Sequence, residues 1–324
     1  DMAAVDKNHI DNKSGMTARE QLRRIYTAVE PLYERRDAAF SDVERRLRGE
    51  SLCRLHISEL DAAGQKYIKH YFKNVMAPVL SPQIVDSHHP FPHLEGKVLH
   101  IAALLAHKKN ERLGLLPVPA SLPALVFLPG QPGQYVPVED ILLEYADHVF
   151  EMYDVLEKTV FCVTRNADIN PDDETFGAEE GDFRKRMEKL LRQRRRMAVV
   201  RVELNRPISD HFKEYFRTRF EVTDAQIFLS RRAPLKMAYA FSLGEHLPEK
   251  QRAALSDPPF TPQQPGMLPA GQSLLKAALK KDILLSYPYE TMEPFLQMIR
   301  EAAGDPHVVS IRITIYRLAR KAKL

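Results

Sequence analysis

The side chains best suited to chemistry fall at a few places along the 324 residues. His88, His89, His93 and His100 are close enough in sequence to suggest a metal ion. No carboxylate or cysteine joins them at ligand spacing, and the intervening prolines set a turn rather than a helix face, so the reading adopted is structural. Arg184, Lys185, Arg186, Lys189, Arg192, Arg194, Arg195 and Arg196 form a basic run that could hold a polyanion by counterion release. An acidic stretch from Asp172 to Asp182 precedes it, and acids at the start of a helix with bases at its end complement the macrodipole without any ligand. Arg312, Arg317 and Arg320 close a strand-like run. Arginine forks at the carboxyl end of a strand in an open sheet suit phosphate, and a surface arginine is the competing reading. Cys53 and Cys162 stand alone, with no activating neighbours. The 13 glycines are not clustered, and neither a Walker loop nor a dinucleotide fingerprint is present.

The elements that must carry these groups are read from periodicity and punctuation. Thr17 and Glu20 have the spacing of a capping box. Leu22, Ile25, Tyr26, Val29 and Tyr33 then recur at helical spacing, and Phe40, Val43 and Leu47 continue that apolar stripe past Pro31, where a bend is expected. A second helix starts near Asp61 and is stopped by Pro78 and Pro82. Both stripes are expected to be core. Strands are predicted over Val98–Ala106, Leu113–Val118, Ala124–Leu128, Thr159–Thr164 and Ala198–Leu204, and helices over Val138–Phe150 and Asp182–Arg196. The prolines between Ser256 and Pro269 mark a linker. Beyond it a helix, a strand at Ile283–Leu285, a helix at Met292–Ala303 and a strand at Val308–Tyr316 read as an opening β-α-β.

The fold class expected is therefore α+β multidomain: a helical segment at 1–81, an α+β domain at 82–255, a linker at 256–269 and the start of an α/β domain at 270–324. Hydrophobic residues make up 44% and charged residues 28%, an ordinary globular mixture. The net charge of +4 is too small to argue for nucleic acid or a membrane surface. Two distant cysteines fit a reducing cytoplasm, and no apolar run reaches the length of a membrane span. Asp1 is not an initiating methionine, and the final strand-like run has no closing element, so the chain reads as cut at both ends.

Several segments resemble the polyphosphate kinase family of the large, histidine-phosphorylated type. They are Asp86-Ser87-His88-His89-Pro90-Phe91-Pro92, Thr164-Arg165-Asn166-Ala167-Asp168 and Val200-Arg201-Val202-Glu203-Leu204. Asp282-Ile283-Leu284-Leu285 with Tyr287-Pro288-Tyr289 follows, running on through Ala302-Ala303-Gly304-Asp305-Pro306 to Ile315-Tyr316-Arg317. The resemblance covers nearly everything from Thr17 onward. It implies that 82–255 is a head domain supporting dimerisation, and that the residues after about 270 open a catalytic domain of phospholipase-D-like fold. It implies reversible transfer of the ATP γ-phosphate to polyphosphate through a phosphohistidine, with Mg2+ as cofactor and ATP, ADP and polyphosphate as partners. A homodimer or homotetramer, a cytoplasmic location and room for peripheral association at the inner membrane follow from the same resemblance; nucleic acid is not expected.

Arg317 matches the family's first metal-and-phosphate arginine and is the functional residue that carries over. The family's nucleotide-contacting asparagine segment has no counterpart. Its nucleophilic histidine, second arginine motif and ATP-contacting residues are expected beyond Leu324, so none of the 12 histidines is assigned as catalytic and this chain alone is expected to be inactive. A non-catalytic dimerisation or polyanion-binding module is the alternative. A phosphodiesterase of the phospholipase D type would need paired histidine-lysine motifs, and the sequence has none.

Overall fold

The computed structural model describes residues 10–85, 91–108, 110–166, 198–268 and 272–315. The capping box forms: the Thr17 amide donates to Glu20 Oε2 at 3.0 Å and the Glu20 amide to Thr17 Oγ1 at 3.3 Å. It opens helix α1 (Ala18–Gly49), which runs through Pro31 without a break. The apolar stripe of α1 is core only in part. Tyr33 is buried and Leu22, Tyr26, Val29, Phe40 and Leu47 are partly so, but Ile25 and Val43 are half exposed and the charged Asp37 is buried. This helix docks through hydrogen bonds from buried polar groups, and apolar periodicity does not report such a face.

Strand β1 (Cys53–Arg54) follows, and Asp61 then caps helix α2 (Ala62–Tyr71) through a 2.7 Å bond from the Gly64 amide. A π turn over Phe72–Met76 and a 3-10 turn over Ala77–Val79 carry the chain out of α2 at Pro78. Next come β2 (Gln83–Val85), β3 (Leu99–His107), β4 (Asn110–Pro117), β5 (Leu125–Phe127) and β6 (Gln134–Pro137). The helix expected over Val138–Phe150 is interrupted at Tyr145, giving α3 (Val138–Glu144) and α4 (Ala146–Val149). Strands β7 (Asp154–Arg165) and β8 (Val199–Leu204), helix α5 (Asp210–Phe220), strand β9 (Ile227–Leu229) and helix α6 (Glu249–Leu255) complete this part.

Six strands form one sheet in the order β2-β4-β3-β7-β8-β9. Its neighbours are antiparallel except β8 and β9, which are parallel. Strand β3 is buried on both faces. Ile101, Ala103 and Leu105 pack against α2 and α3, and Ala102 and Leu104 join Phe161 and the α5 residues Phe212, Phe216 and Phe220. That two-sided burial is why β3 reads as an unbroken apolar run. Each fully buried phenylalanine contributes about 1.5–3 kcal/mol relative to exposure. A smaller sheet, β1-β6-β5, closes against the end of α1.

The chain forms two compact units, Asp1–Arg252 and Ala253–Leu324, and α1 and α2 belong to the first together with both sheets. The second unit holds α7 (Leu274–Ala278) and α8 (Glu293–Gly304), tied by a 2.5 Å bond from Ser273 Oγ to Glu301. Both strands expected here fail to form: residues 282–286 and 308–315 are irregular. An extended segment becomes a strand only when a neighbour takes up its amides and carbonyls. Among the described residues neither segment has such a neighbour, and Val309, Ile311, Ile313 and Ile315 stand exposed. Among the described residues no helix is long and apolar enough to cross a membrane.

Candidate functional site

Because β8 and β9 are parallel, they release the chain at the same end of the sheet, and each is followed by one polar residue and then arginine. After β8, Asn205 fixes the first turn. Its amide donates to the Val160 carbonyl at 3.0 Å, and its side-chain oxygen accepts from the Val160 amide at 2.9 Å and from Thr159 Oγ1 at 3.1 Å. Arg206 is the next residue and is exposed. After β9, the Ser230 amide donates to the Leu204 carbonyl at 2.8 Å, and Arg231 and Arg232 follow, both exposed.

The second turn is held from two sides. Asp37 of α1 accepts from the Arg231 amide at 2.7 Å and the Ala233 amide at 3.0 Å, and its Oδ1 lies 3.2 Å from the Ser230 hydroxyl. Arg54 of β1 donates to the Arg232 carbonyl at 3.3 Å and to Asp140 of α3 at 2.9 Å. Strand β8 is itself bound to α1 through Glu203, which meets Tyr33, Arg36 and Arg201. These charge-assisted bonds fix the backbone beneath the exposed arginine heads.

The two turns border a cleft of about 780 Å³ that reaches down to α3 and β7. Its lining includes Arg54, Lys158, Arg206, Arg231 and Arg232 against Glu44, Glu139, Asp140 and Glu144. Asp140 is committed to Arg54, and Lys158 to Asp147 at 2.5 Å and the Glu144 carbonyl at 3.1 Å. Burial, aided by the neighbouring Asp140, pushes the Glu139 carboxyl up to about 7, so this acid is largely neutral below that pH. Among the described residues no carboxylate lies within ion-pair distance of the Arg206, Arg231 or Arg232 guanidinium groups. Arg231 also borders a smaller cleft of about 350 Å³ between α1 and β9.

The residues singled out from sequence have other fates. Arg312 is exposed in the irregular segment, while Arg317 and Arg320 lie outside the described residues. So do His88, His89 and the helix expected over Asp182–Arg196. His93 is exposed, and His100 is buried in β3 with Nδ1 3.0 Å from the Val98 carbonyl; burial lowers its pKa, favouring the neutral ring. Among the described residues no group of three histidine, cysteine or acidic side chains could hold a metal ion. Burial pushes the Cys162 thiol up to about 11, which removes it as a nucleophile near neutrality. The sequence reading passed over Arg206, Arg231, Arg232 and Asp37. The adjacent pair Arg231-Arg232 just after a strand was a visible signal, but its convergence with Arg206 depends on the parallel pairing of β8 and β9.

The sequence model described as the polyphosphate kinase middle domain matches residues 63–243, more than half of the chain. The model of polyphosphate kinase C-terminal domain 1 follows it, in order, at residues 273–324. The chain belongs to the polyphosphate kinase family. It is 33% identical over 320 residues to a polyphosphate kinase of Exiguobacterium sibiricum, covering 96% of this chain and 43% of that protein. It is 32% identical over 329 residues to one of Bacillus anthracis, covering 98% and 46%. The fold is similar to the crystal structure of polyphosphate kinase from Porphyromonas gingivalis, with a TM-score of 0.62 at 20% identity over 89% of this chain and 42% of that one. The chain thus spans less than half the length of these polyphosphate kinases. Arg206, Arg231 and Arg232 lie in the stretch matched by the polyphosphate kinase middle domain, and Asp37 and Arg54 precede it.

Proposed function

We propose that this chain is part of a polyphosphate kinase that reversibly transfers the γ-phosphate of ATP to polyphosphate through a phosphohistidine. The observation that carries the reading is the ordered match of the two polyphosphate kinase domain models along a single chain. In this reading residues 1–81 are part of an N-terminal helical domain, 82–255 a head domain, 256–269 a linker and 270–324 the opening of a phospholipase-D-like catalytic domain. Arg317 contributes its guanidinium to the phosphate group with which Mg2+ is associated. A planar fork matches phosphate oxygens and offsets the charge that develops on transfer. The whole enzyme works as a homodimer or homotetramer in the cytoplasm, with room for association at the inner membrane.

None of the 12 histidines is assigned as the nucleophile, so the 324-residue chain by itself is expected to transfer no phosphate. The test is incorporation of label from γ-labelled ATP with Mg2+, into protein and into acid-insoluble polymer. Absence of label here, with label restored by a polyphosphate kinase of full family length carrying this sequence, supports the reading. Label on the 324-residue chain would place a nucleophile within it and overturn the assignment of the chemistry. A second reading, a polyanion-binding module active without catalysis, is favoured by the arginine turns beyond β8 and β9.

A further inference from the structure

Arg54 ties three parts of the first unit together. Its side chain is only 10% exposed, and it joins β1 to Asp140 of α3 at 2.9 Å and to the Arg232 carbonyl beyond β9 at 3.3 Å. Those bonds use its two terminal nitrogens, and the buried Nε has no hydrogen-bond partner. A buried donor left without an acceptor is costly and rare in folded proteins. Glu139, in the same cleft, is the converse case. The residue is 8% exposed, and its carboxyl is met by its own backbone amide and by no other side chain among the described residues. Asp140 adjoins it, so two carboxyls on the first turn of α3 stand against one committed guanidinium. Two buried carboxyls matched by a single cation keep a proton that solvated carboxyls would release.

We propose that Arg54 is a proton-controlled latch, held on Asp140 and the Arg232 carbonyl while Glu139 is protonated and drawn off that carbonyl toward Glu139 when Glu139 ionises. The new bond gives the orphaned Nε its acceptor. The turn beyond β9 then loses one of its two supports and keeps the other, Asp37. Burial and Asp140 put the ionisation of Glu139 at about 7, against the opposing pull of Arg54 and Lys236. Glu44 of α1 and Glu144 of α3 add negative charge to the cleft, and Lys158 of β7 with Arg206, Arg231 and Arg232 add positive charge. Lys158 is already held by Asp147 and the Glu144 carbonyl. Among these cations Arg54 is the one with a buried N–H in want of an acceptor. Burial keeps the nearby Tyr239 hydroxyl above the usual tyrosine range and therefore neutral. Histidine is the other side chain able to change charge here, and His56 lines the same cleft. The latch needs no ligand and does not rest on the polyphosphate kinase reading.

The experiment is proton–nitrogen NMR of the arginine Nε–H groups in the 324-residue chain from pH 5 to pH 8. The Arg54 signal is the one missing from Arg54→Lys. In wild type it is expected to move downfield through a transition centred at about 7, as Nε gains a carboxylate acceptor, and to stay in place in Glu139→Gln. Hydrogen exchange at residues 231–233 reads the release of the turn. Corrected for the intrinsic pH dependence of exchange, opening is expected to rise about threefold or more from pH 5 to pH 8 in wild type and not in Glu139→Gln. Should Glu139→Gln fail to fold, Asp140→Asn decides: with the like charge removed, the Arg54 transition is expected at lower pH than in wild type. A fixed Arg54 signal in wild type, a movement that persists in Glu139→Gln (as it would if His56 drove it) or an unshifted transition in Asp140→Asn would each overturn the latch. A moving signal with unchanged exchange at residues 231–233 would overturn the release of the turn.

Discussion

The Tyr33 hydroxyl donates to Glu203 Oε1 at 2.7 Å, joining the first helix to a strand 170 residues further along the chain. The ring stacks on Phe228 of β9 at 4.8 Å between centroids, and the Arg36 guanidinium lies 4.4 Å from the Tyr33 ring centroid. Burial and the Glu203 carboxylate both push the Tyr33 hydroxyl above the usual tyrosine range, so it remains a donor. Arg36 at 3.4 Å and Arg201 at 3.3 Å supply the countercharge that lets Glu203 stay buried.

Removing only the hydroxyl, by Tyr33→Phe, keeps the stacked ring and leaves a buried carboxylate short of one donor. The expected loss is about 1–3 kcal/mol of stability, read by urea unfolding. A midpoint equal to that of wild type would show that the two arginines alone satisfy Glu203.

Asp37 is the support of the arginine turn, and two backbone amides depend on it. Asp37→Ala is expected to cost about 2–4 kcal/mol of stability, read by urea unfolding. Asp37→Asn retains one acceptor oxygen and should lose less. An unfolding midpoint equal to that of wild type would show that the Arg231 and Ala233 amides do not depend on Asp37.

Glu139 gives a pH signature whose sign is fixed by the direction of its shift. Its folded pKa, about 7, lies above the ordinary value of 4.5, so the folded protein holds this proton more tightly than the unfolded one. Stability from this group is full below the ordinary carboxylate range and is lost as pH rises through 4.5 toward 7. Glu139→Gln removes that dependence and should raise stability at pH 8 relative to wild type by roughly 1–3 kcal/mol. Thermal unfolding at pH 5 and pH 8 checks this; parallel shifts of the two proteins between those pH values would refute it.

Gly133 sits at φ +77°, and a Cβ there would come within 2.0 Å of the Ser51 carbonyl oxygen. Its own carbonyl accepts from the Cys53 amide at 2.9 Å, the bond that starts the β1–β6 pairing. Gly133→Ala is expected to cost roughly 2 kcal/mol or more and to loosen β1, the strand that carries Arg54. Faster amide exchange at Cys53 and Leu55 would report it; unchanged exchange with native stability would contradict the expected clash.

How much of this was legible follows from which interactions are local. The Thr17–Glu20 capping box and the Asp61 cap were readable because their partners are three residues apart. Strand β3 was readable because burial on both faces leaves a continuous apolar run. The break at Tyr145 was not, since apolar spacing continues across it. The strands expected at 283–285 and 308–316 carried a short apolar run and an apolar alternation, respectively, but no information about a partner. Among the described residues none pairs with them, and pairing is what makes a strand.

By itself the sequence determined the family resemblance, the mixed α+β character and the positions of the capped helices, because these are written in contiguous residues. Only the tertiary structure decided the arginine cleft. Arg206 and Arg231 converge because β8 and β9 pair in parallel, and Asp37 reaches Ala233 across 196 residues. Sequence spacing carries almost no trace of contacts at that separation, since the chain between them is free to return by many routes until packing selects one.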